Sequence, residues 1–444
     1  MKTILIVGAG LSSTSLIEYL LKHSKENQWQ VRLADMSLVL AQSKIKEHDN
    51  GIALKFNVFD KDERAKEVAK ADLVISMLPA PMHPMLAREC LKQTKHFLSP
   101  SYISSEMQMM DKKARLKGVL LMNELGVDPG IDHMSAMRVI DEIKANGGEL
   151  LSFKSYCGGL LSPSSSSNIW QYKFTWNPRN VVTAGQGVAT YKDKGQYKYL
   201  PYHQVFSHPL KTSMPGYGDF EVYPNRDSLS YRSLYQIEEI PSILRGTMRR
   251  SGFCKAWNAF VRLGCTDESY VMRNSENLSY RDYIESFLPF DERSVEERFA
   301  DCIAVSIDDP IMEKFRWLDL FSDKKLNLKE GTPALILQKI LEEKWTLSPE
   351  DKDLLVMQHQ FIYKMDGQQF KKTSSMSYEG RNQQQTAMAY TVGLPLAIVA
   401  KLILQAKIDL TGVQIPIASQ IYEPVLKELE ELGIYFTEHE EVCE

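Results

Sequence analysis

The first 35 residues combine an apolar run, a glycine-rich turn, a helical pattern and a second apolar run that ends in an acid. Residues 3–7 have no polar face, which is typical of a strand covered on both sides in a parallel sheet. Gly8 and Gly10 follow at once, and apolar side chains then recur at helical spacing. The second run, 31–34, ends at Asp35. This order of elements predicts the start of a doubly wound α/β domain that binds a dinucleotide.

The glycine turn has the properties needed to bind a pyrophosphate. Two glycines let the backbone turn tightly and approach the anion, and the following helix offers N–H groups and the positive end of its dipole. Ser13 stands where the usual fingerprint has its third glycine, so an ordinary glycine-rich turn is the alternative. The order of the surrounding elements favours the dinucleotide-binding interpretation.

Four more apolar runs extend the predicted sheet to six strands, with helical patterns near 84–95 and 104–116. The runs are 52–58, 72–79, 96–98 and 119–122. Together they predict an N-terminal Rossmann domain, a doubly wound parallel sheet, over 1–128. Ligands of such sheets bind beyond the carboxyl ends of the strands. The candidate cofactor-binding residues are Gly8, Gly10, Leu11, Ser12, Ser13, Asp35, Asn57, Val58, Ser76 and Leu78.

Asp35 also predicts which cofactor is bound. An acid roughly 20–25 residues after the glycines accepts a hydrogen bond from the ribose 2′-hydroxyl of NAD. Its charge would repel the extra phosphate of NADP, and the neighbours Ala34, Met36 and Ser37 supply no Arg or Lys to attract it. The sequence therefore predicts NAD, with NADP less favoured.

Composition excludes several classes of function. A chain of 444 residues predicts two or three domains, and a net charge of −4 without a basic stripe argues against nucleic-acid binding. The six cysteines form neither a CxxC pair nor a metal-like spacing with His, which predicts no metal site and a reducing compartment. We recognise no apolar window of about 18 residues that would span a membrane. We expect a cytoplasmic protein without a membrane or nucleic-acid partner.

The pattern changes after residue 128. Strand-like runs mixed with loops predict a second, α+β domain over 129–392 for substrate binding and dimerisation. It would contain a helical insertion near 265–350, a serine-rich loop at 162–167 and a hairpin at 351–375 that turns at Asp366-Gly367.

The C-terminal segment, 393–444, is predicted to return to the Rossmann domain. An apolar helix at 387–406 is too hydrophobic to stand alone and must pack on a preformed surface. A short amphipathic helix is predicted at 420–432.

Two positions in the central part of the chain could serve chemistry on a substrate. Asp128 follows the last predicted strand at a helix start, where it could bind an ammonium group or transfer a proton; helix capping is the alternative, and we favour that alternative for Asp132. Cys157 ends a strand before two glycines, so its thiol faces a ligand or fills a small buried space, and both interpretations stay open. His133, on an apolar helical face, is interpreted as structural.

Two arginine-containing segments, 223–227 and 245–249, suit a substrate with several carboxylates. A planar guanidinium binds a carboxylate through two parallel hydrogen bonds. A solvated surface arginine is the alternative for each. Arg226 favours binding, because it lies between Pro, Asn and Asp in a turn-like segment where little else explains it.

Segments along nearly the whole chain resemble the saccharopine dehydrogenase (L-glutamate-forming) family, also called saccharopine reductase. They occur in the family's order, so the resemblance is not confined to the nucleotide domain. The loop after Gly159 departs from the family pattern, and no contact is carried over from it. The matching segments are Gly8-Ala9-Gly10, 72–76, 101–103, 124–134, 155–159, 172–174, 223–228, 244–249 and 392–395.

The resemblance implies NAD-dependent oxidation of saccharopine to L-glutamate and 2-aminoadipate 6-semialdehyde in lysine metabolism, reversible as a reductive condensation, by a homodimer. The carboxylates and the ammonium group of saccharopine suit the two arginine segments and Asp128. The implied catalytic residues are Tyr102, Asp128 and Cys157. The implied substrate-binding residues are Ser101, Tyr102, Asp128, Arg226, Arg245 and Thr247.

Two alternatives stay open. A related imine reductase, such as a carboxynorspermidine dehydrogenase, would keep the nucleotide domain and need fewer carboxylate-binding arginines. A non-catalytic NAD-binding regulatory protein would keep the glycine turn and Asp35 while losing the rest, and the presence of Tyr102, Asp128 and Arg226 argues against it.

Overall fold

The chain divides into two units, and the first of them takes segments from two separate stretches of the sequence. In the computed structural model, which describes residues 1–165 and 168–443, this unit comprises Met1–Glu149 and Met376–Glu438. The second unit comprises Leu150–Ser375 and His439–Glu444. The boundaries therefore differ from the predicted divisions after 128 and 392. Residues 166 and 167 of the predicted serine-rich loop lie outside the described residues.

The first unit is built on the parallel sheet that the sequence predicts. Its strand order, β17-β6-β5-β4-β1-β2-β3, is that of a doubly wound Rossmann sheet with one strand added beside β6. All of its neighbouring strands are parallel. The strands, numbered in chain order, are β1 (Lys2–Val7), β2 (Trp29–Asp35), β3 (Gly51–Lys55), β4 (Leu73–Ser76), β5 (His96–Leu98), β6 (Leu120–Met122) and, from the later segment, β17 (Gly412–Gln414).

Helices cover this sheet, and most lie where the apolar periodicity predicts them. The predicted helix at 104–116 is two short helices, α5 and α6, and a 3-10 turn at Leu11–Ser13 precedes α1. The helices of the first unit are α1 (Thr14–Lys22), α2 (Leu38–Ile45), α3 (Lys61–Ala69), α4 (His83–Lys92), α5 (Ser105–Gln108), α6 (Asp111–Leu116), α7 (Ile131–Ala145), α15 (Ala387–Leu404) and α16 (Ser419–Glu431).

Helix α15 is the apolar helix predicted near the C-terminus. By length and composition alone its 18 residues could cross a membrane, which the sequence analysis did not recognise, yet 78% of them are buried inside the structure. The helix packs on α1. A Cβ atom added at Gly393 would lie 2.7 Å from the backbone nitrogen of Leu16, so a glycine is needed for this close approach. The burial identifies α15 as a core helix of the first unit.

The second unit contains a mixed sheet. Its strands run in the order β10-β11-β12-β7-β15-β16-β18; β8 also pairs with β12, and β9 pairs with β8. Strands β7 and β12 are parallel, whereas β10, β11 and β12 are antiparallel in succession. The strands are β7 (Glu149–Leu161), β8 (Val188–Asp193), β9 (Gln196–Pro201), β10 (Leu210–Met214), β11 (Gly218–Pro224), β12 (Ser242–Arg250), β15 (Asp353–Met365), β16 (Gln368–Glu379) and β18 (Thr437–Val442), and β13 (Met272–Arg273) pairs with β14 (Glu330–Gly331) in a separate sheet.

An aromatic core holds the helices of this unit together. The ring of Trp345 lies 5.0 Å from that of Tyr172 and 5.3 Å from that of Trp170, centroid to centroid, and all three residues are buried. The predicted hairpin turns at Asp366-Gly367, where both residues have positive φ, as the turns that match strand twist require. The helices are α8 (Pro178–Val182), α9 (Tyr231–Leu234), α10 (Phe253–Leu263), α11 (Tyr280–Glu285), α12 (Val295–Cys302), α13 (Met312–Trp317) and α14 (Pro333–Trp345).

Gly393 provides a test of the packing of α15 on α1. In an ordinary helix, Gly→Ala stabilises a protein by about 0.5–1 kcal/mol. Here the added methyl group would press on the backbone of Leu16, so we expect Gly393→Ala to lower the free energy of unfolding by about 1–3 kcal/mol. Urea unfolding measures the change. A stabilised variant would show that α15 does not pack this closely.

Candidate functional site

The glycine turn connects β1 to the 3-10 turn before α1. Gly8 has a φ of +107°, and a Cβ atom there would lie 2.9 Å from the backbone of Met77, so no other residue fits without a shift. Space is open around Gly10, where a Cβ atom would meet nothing within 4 Å. Ser13, in the place of the third glycine, is buried and its hydroxyl donates to the carbonyl of Gly10 at 2.8 Å. The turn therefore leaves room for a ligand beside Gly10.

Asp35 ends β2 next to this turn, as the sequence predicts. Its carboxylate accepts hydrogen bonds from the backbone N–H groups of Ala9 and Ser37, each at 2.8 Å. The carboxylate thus joins the glycine turn to the turn that follows β2.

Sequence reasoning missed Lys44, a cation at the same turn. From the last part of α2 its ammonium group donates to the carbonyl of Gly10 at 2.8 Å and to the hydroxyl of Thr14 at 2.6 Å. Burial lowers the pKa of Lys44 to about 8, and attraction to Glu18 and Asp35 opposes that shift. None of the immediate neighbours of Asp35 in the sequence is a cation. The signal lay two helical turns further along.

Tyr102 and Asp128 form a donor–acceptor pair. The hydroxyl of Tyr102 donates to the carboxylate of Asp128 at 3.2 Å, and both side chains are half-buried. Tyr102 lies in the segment after β5 and Asp128 in the segment after β6, so the parallel sheet brings them to one edge. Asp132 lies in the first turn of α7, and its carboxylate accepts from the backbone N–H of Gly130, the N-cap residue, at 2.6 Å.

Glu124 holds these two segments in place. Its backbone N–H donates to the carbonyl of Ser101 at 3.1 Å, and its carboxylate accepts from the N–H of Ile103 at 3.0 Å. The other carboxylate oxygen lies 2.8 Å from Nε2 of His133, which is fully buried on α7. His133 is therefore joined through Glu124 to the segments that carry Tyr102 and Asp128.

A second histidine, His83, joins two of the predicted site residues and was not singled out from the sequence. Its Nδ1 lies 2.8 Å from the hydroxyl oxygen of Ser76, and its Nε2 lies 2.8 Å from that of Ser101. Nothing local in the sequence distinguishes a histidine that begins a helix after a Pro-Met pair.

Other predicted cofactor contacts have structural partners of their own. The amide oxygen of Asn57 accepts from the N–H of Phe59 at 3.1 Å, and Val58 packs in the hydrophobic core. Leu11 is 62% exposed beside the glycine turn, and Leu78 is half-buried. Within residues 1–165 and 168–443, no group of three or more His, Cys, Asp and Glu could hold a metal ion.

Within the second unit, Cys157 and Thr247 are neighbours. They are paired residues of the parallel ladder between β7 and β12, and Tyr223 on β11 is paired with Thr247 on its other side. Cys157 is 8% exposed, and Thr247 is half-buried. A Cβ atom at Gly158 would lie 2.6 Å from the carbonyl oxygen of Met248, so this glycine serves the close packing of the two strands.

The two arginine segments meet at the end of β11. The N–H of Asn225 donates to the carbonyl of Arg245 at 2.9 Å, which brings Arg226 beside that residue. Arg245 is buried with its guanidinium 4.1 Å from the ring centroid of Tyr231, whereas Arg226 is exposed and has a φ of +52°. Arg249, the second arginine of its segment, lies buried among aromatic rings, including that of Tyr172 at 4.9 Å, and is part of the core.

The chain is similar to proteins of one family over nearly its whole length. Residues 4–122 match the model of the saccharopine dehydrogenase NADP binding domain, and residues 126–434 match that of the saccharopine dehydrogenase C-terminal domain. The saccharopine dehydrogenase [NADP(+), L-glutamate-forming] of Saccharomyces cerevisiae is 33% identical over 98% of this chain and 99% of its own length. The enzyme of that name from Pyricularia oryzae is 32% identical over 97% of each. The structure of the apo L-Glu-forming enzyme of S. cerevisiae superimposes with a TM-score of 0.89 at 31% identity, covering 99% of this chain and 100% of that one.

The fold and these matches define a nicotinamide-nucleotide-dependent oxidoreductase, of the class that acts on CH–NH groups. Together the two matched domains cover almost the whole chain. The chain belongs to the saccharopine dehydrogenase family.

The prediction of NAD from Asp35 is wrong. The matching domain model is that of an NADP binding domain, and both fungal relatives are named for NADP(+). The prediction took the Asp35 carboxylate to contact only the ribose of the cofactor. In the structure the Asp35 carboxylate accepts from two backbone N–H groups, and the cation Lys44 lies at the same turn.

Glu124 provides a test of how the site is held. Glu124→Ala removes the acceptor of the Ile103 N–H and of His133, so we expect the free energy of unfolding to fall by about 1–3 kcal/mol. Urea unfolding measures the change. Glu26→Ala is the matched control, because its side chain is 81% exposed and its loss should matter by less than about 0.5 kcal/mol. Equal effects of the two substitutions would contradict the anchoring role of Glu124.

Proposed function

We propose that this chain catalyses the NADP-dependent oxidation of saccharopine to L-glutamate and 2-aminoadipate 6-semialdehyde, and the reverse reductive condensation. Two fungal relatives are named for this enzyme and align over nearly the whole chain. The observation that carries the proposal is the hydrogen bond between Tyr102 and Asp128 beyond the carboxyl ends of the strands. A phenol and a carboxylate at that edge can serve the proton chemistry that an amine substrate requires.

The reaction removes a hydride and a proton from a CH–NH group. The hydride leaves the carbon next to the secondary amine and the proton leaves the nitrogen, which gives an imine. Water then adds to the imine carbon, and the C–N bond breaks to release an aldehyde and the amine of glutamate. Bound NADP⁺ supplies the hydride acceptor. The chain must hold the secondary amine neutral, activate the water and return a proton to the departing amine.

We assign these proton transfers to Asp128, with Tyr102 as its partner. A carboxylate can take the proton of the amine and later return it to the product nitrogen, as microscopic reversibility requires. The hydroxyl of Tyr102 donates to Asp128 and orients the carboxylate. Cys157, mostly buried on β7, is assigned a smaller part in tuning the polarity around the substrate.

Carboxylate recognition is assigned to the second unit. The backbone of Arg245 donates to the hydroxyl of Ser228 and accepts from the N–H of Asn225, and its guanidinium is oriented by the ring of Tyr231. Arg226 is exposed. Its left-handed backbone conformation sets the direction in which its side chain leaves the main chain. With the hydroxyl of Thr247, these two arginines supply donors for the carboxylates of saccharopine. Ser101 is assigned a further substrate contact from the first unit.

The nucleotide turn fits NADP. The open space at Gly10 and the N-terminal N–H groups of Leu11 and Ser12 suit a pyrophosphate, as glycine turns before helices do generally. We assign Lys44 to the 2′-phosphate, because it is the cation that reaches this turn from α2, next to Asp35. Asp35 would then hold the backbone of the turn through its hydrogen bonds and attract the charged Lys44.

The alternatives differ in substrate. A carboxynorspermidine dehydrogenase would present fewer carboxylates, and the buried, pre-oriented Arg245 beside Arg226 favours the more acidic substrate. A non-catalytic nucleotide-binding protein would have no use for the Tyr102–Asp128 pair. A cytoplasmic location and a homodimer stay predictions, and the six free cysteines are compatible with a reducing compartment.

Asp128 is the sharpest test of the activity. We expect the purified protein to reduce NADP⁺ with saccharopine, and Asp128→Ala to lower kcat by about 10²–10⁴-fold and to remove the acid limb of the pH profile. Stopped assays for glutamate and for the aldehyde confirm the products. Asp49→Ala, at an exposed carboxylate, is the control and should leave kcat unchanged. If Asp128→Ala kept full turnover, the proton transfers would have to be assigned to another group.

Lys44 gives the cofactor prediction a pH dependence. Because its pKa is about 8, Lys44 is charged below that pH, and its attraction for a 2′-phosphate is lost as the pH rises through it. We expect kcat/KM for NADP⁺ to fall over that range, and Lys44→Met to lower it about tenfold or more at neutral pH, the size of a charge-assisted hydrogen bond. Lys44→Arg should keep the affinity at high pH. Lys46→Met, at an exposed lysine two residues further along, is the control; an equal loss there would refute the assignment.

A further inference from the structure

His83 is a buried histidine that bridges two serine hydroxyls at the carboxyl edge of the first unit's sheet. It is the first residue of α4 and is 3% exposed. Its two ring nitrogens each lie 2.8 Å from a serine oxygen: Nδ1 from Ser76, the last residue of β4, and Nε2 from Ser101, which follows β5. The two serines therefore lie on opposite sides of one imidazole ring.

The ring is neutral at ordinary pH. Burial lowers the pKa of His83 to about 4, and the start of a helix also disfavours a positive charge. A neutral imidazole has one N–H donor and one acceptor nitrogen. One serine must therefore donate to the ring, and the other must accept from it.

The environment of Ser76 decides which serine donates. Ser76 is fully buried, and across the described ranges 1–165 and 168–443 the hydrogen-bond partner of its hydroxyl is His83. If Nδ1 carried the hydrogen, the hydroxyl hydrogen of Ser76 would be buried without an acceptor, which is costly. If Ser76 donates to Nδ1, its hydroxyl is satisfied and the ring hydrogen lies on Nε2. That hydrogen then points to the oxygen of Ser101.

Ser101 differs from Ser76 because it is half-buried at the edge of the sheet. A hydroxyl oxygen that accepts from Nε2–H keeps its own hydrogen for another acceptor. Its backbone carbonyl accepts from the N–H of Glu124 at 3.1 Å, which holds the backbone of Ser101 in place, and its hydroxyl oxygen lies 2.8 Å from Nε2 of His83. Ser101 is thus left with a donor that faces the ligand side of the site.

We propose that His83 is a positioning residue: Ser76 holds it in the Nε2–H tautomer, and it thereby makes Ser101 a hydrogen-bond donor to a carboxylate oxygen of the substrate. This inference rests on the proposed function, in which Ser101 contacts the substrate. His83 transfers no proton in the reaction. His83 excludes the alternative in which the Ser101 hydroxyl donates to the imidazole ring. In that alternative the oxygen lone pairs of Ser101 would face the substrate carboxylate and repel it.

The tautomer can be measured without any substrate. Two-bond ¹H–¹⁵N spectra of protein labelled on histidine, with His83 assigned by its loss in His83→Gln, should show a protonated Nε2 and a bare Nδ1. A protonated Nδ1 would overturn the proposal. This measurement stands even if saccharopine is not the substrate, so the two proposals fail separately.

Kinetics on the whole enzyme test the action through Ser101. His83→Leu should raise KM for saccharopine about threefold to tenfold, the size of one neutral hydrogen bond, with little change in kcat. His83→Gln, whose amide can still donate toward Ser101, should recover most of this loss. In a Ser101→Ala background, His83→Leu should add nothing further. Additive losses, or an equal loss from the control His96→Gln at a half-buried histidine of this sheet, would refute the positioning role.

Discussion

The parallel register of β1, β2 and β4 is the constraint on which the arrangement of the first unit depends. Val7 is paired with Ala34 on one side and with Ser76 on the other, so the three strands end at the same level. The next N–H group, that of Gly8, donates to the carbonyl of Ala34 at 2.8 Å, and the chain then turns away. A slip of one residue would turn Ser76 to the opposite face of the sheet.

Because the strands end together, chemically different side chains are collected along one edge. Asp35, Ser76, Tyr102 and Asp128 each come from a different strand end, and none needs to be near another in sequence. The backbone geometry of the sheet sets their spacing. Hydrogen bonds such as those of Glu124 then limit how far each loop can move from that spacing.

Elements with a strong local pattern could be predicted from the sequence. The helix at Ile131–Ala145 and the turn at Asp366-Gly367 lie where periodicity and turn chemistry put them. Strand β3, Gly51–Lys55, ends earlier than its apolar run, 52–58. The run is longer because Phe56 and Val58, beyond the end of the strand, also pack in the hydrophobic core. Strand β17 has only three residues, which carry no pattern until their partner β6 is known.

Partners that are distant in sequence also limit what could be predicted of the site. The glycine turn and Asp35 are linked by a motif, whereas Lys44 acts at Gly10 from 34 residues away and His83 meets Ser101 from 18 residues away. Such pairs exist only after folding. The cofactor prediction weighed the Asp35 carboxylate alone, because the sequence does not show that Lys44 comes to the same turn.

Strand β17 has a consequence for the order in which the protein can be made. It borders β6, yet the ribosome delivers it only after all the strands from β7 to β16. Until then the nascent Rossmann sheet has an unpaired edge at β6, and α1 lacks the apolar cover of α15. An open strand edge and a bare apolar surface are the features that favour aggregation during synthesis. The first unit to begin emerging is thus completed only when nearly the whole chain has been made.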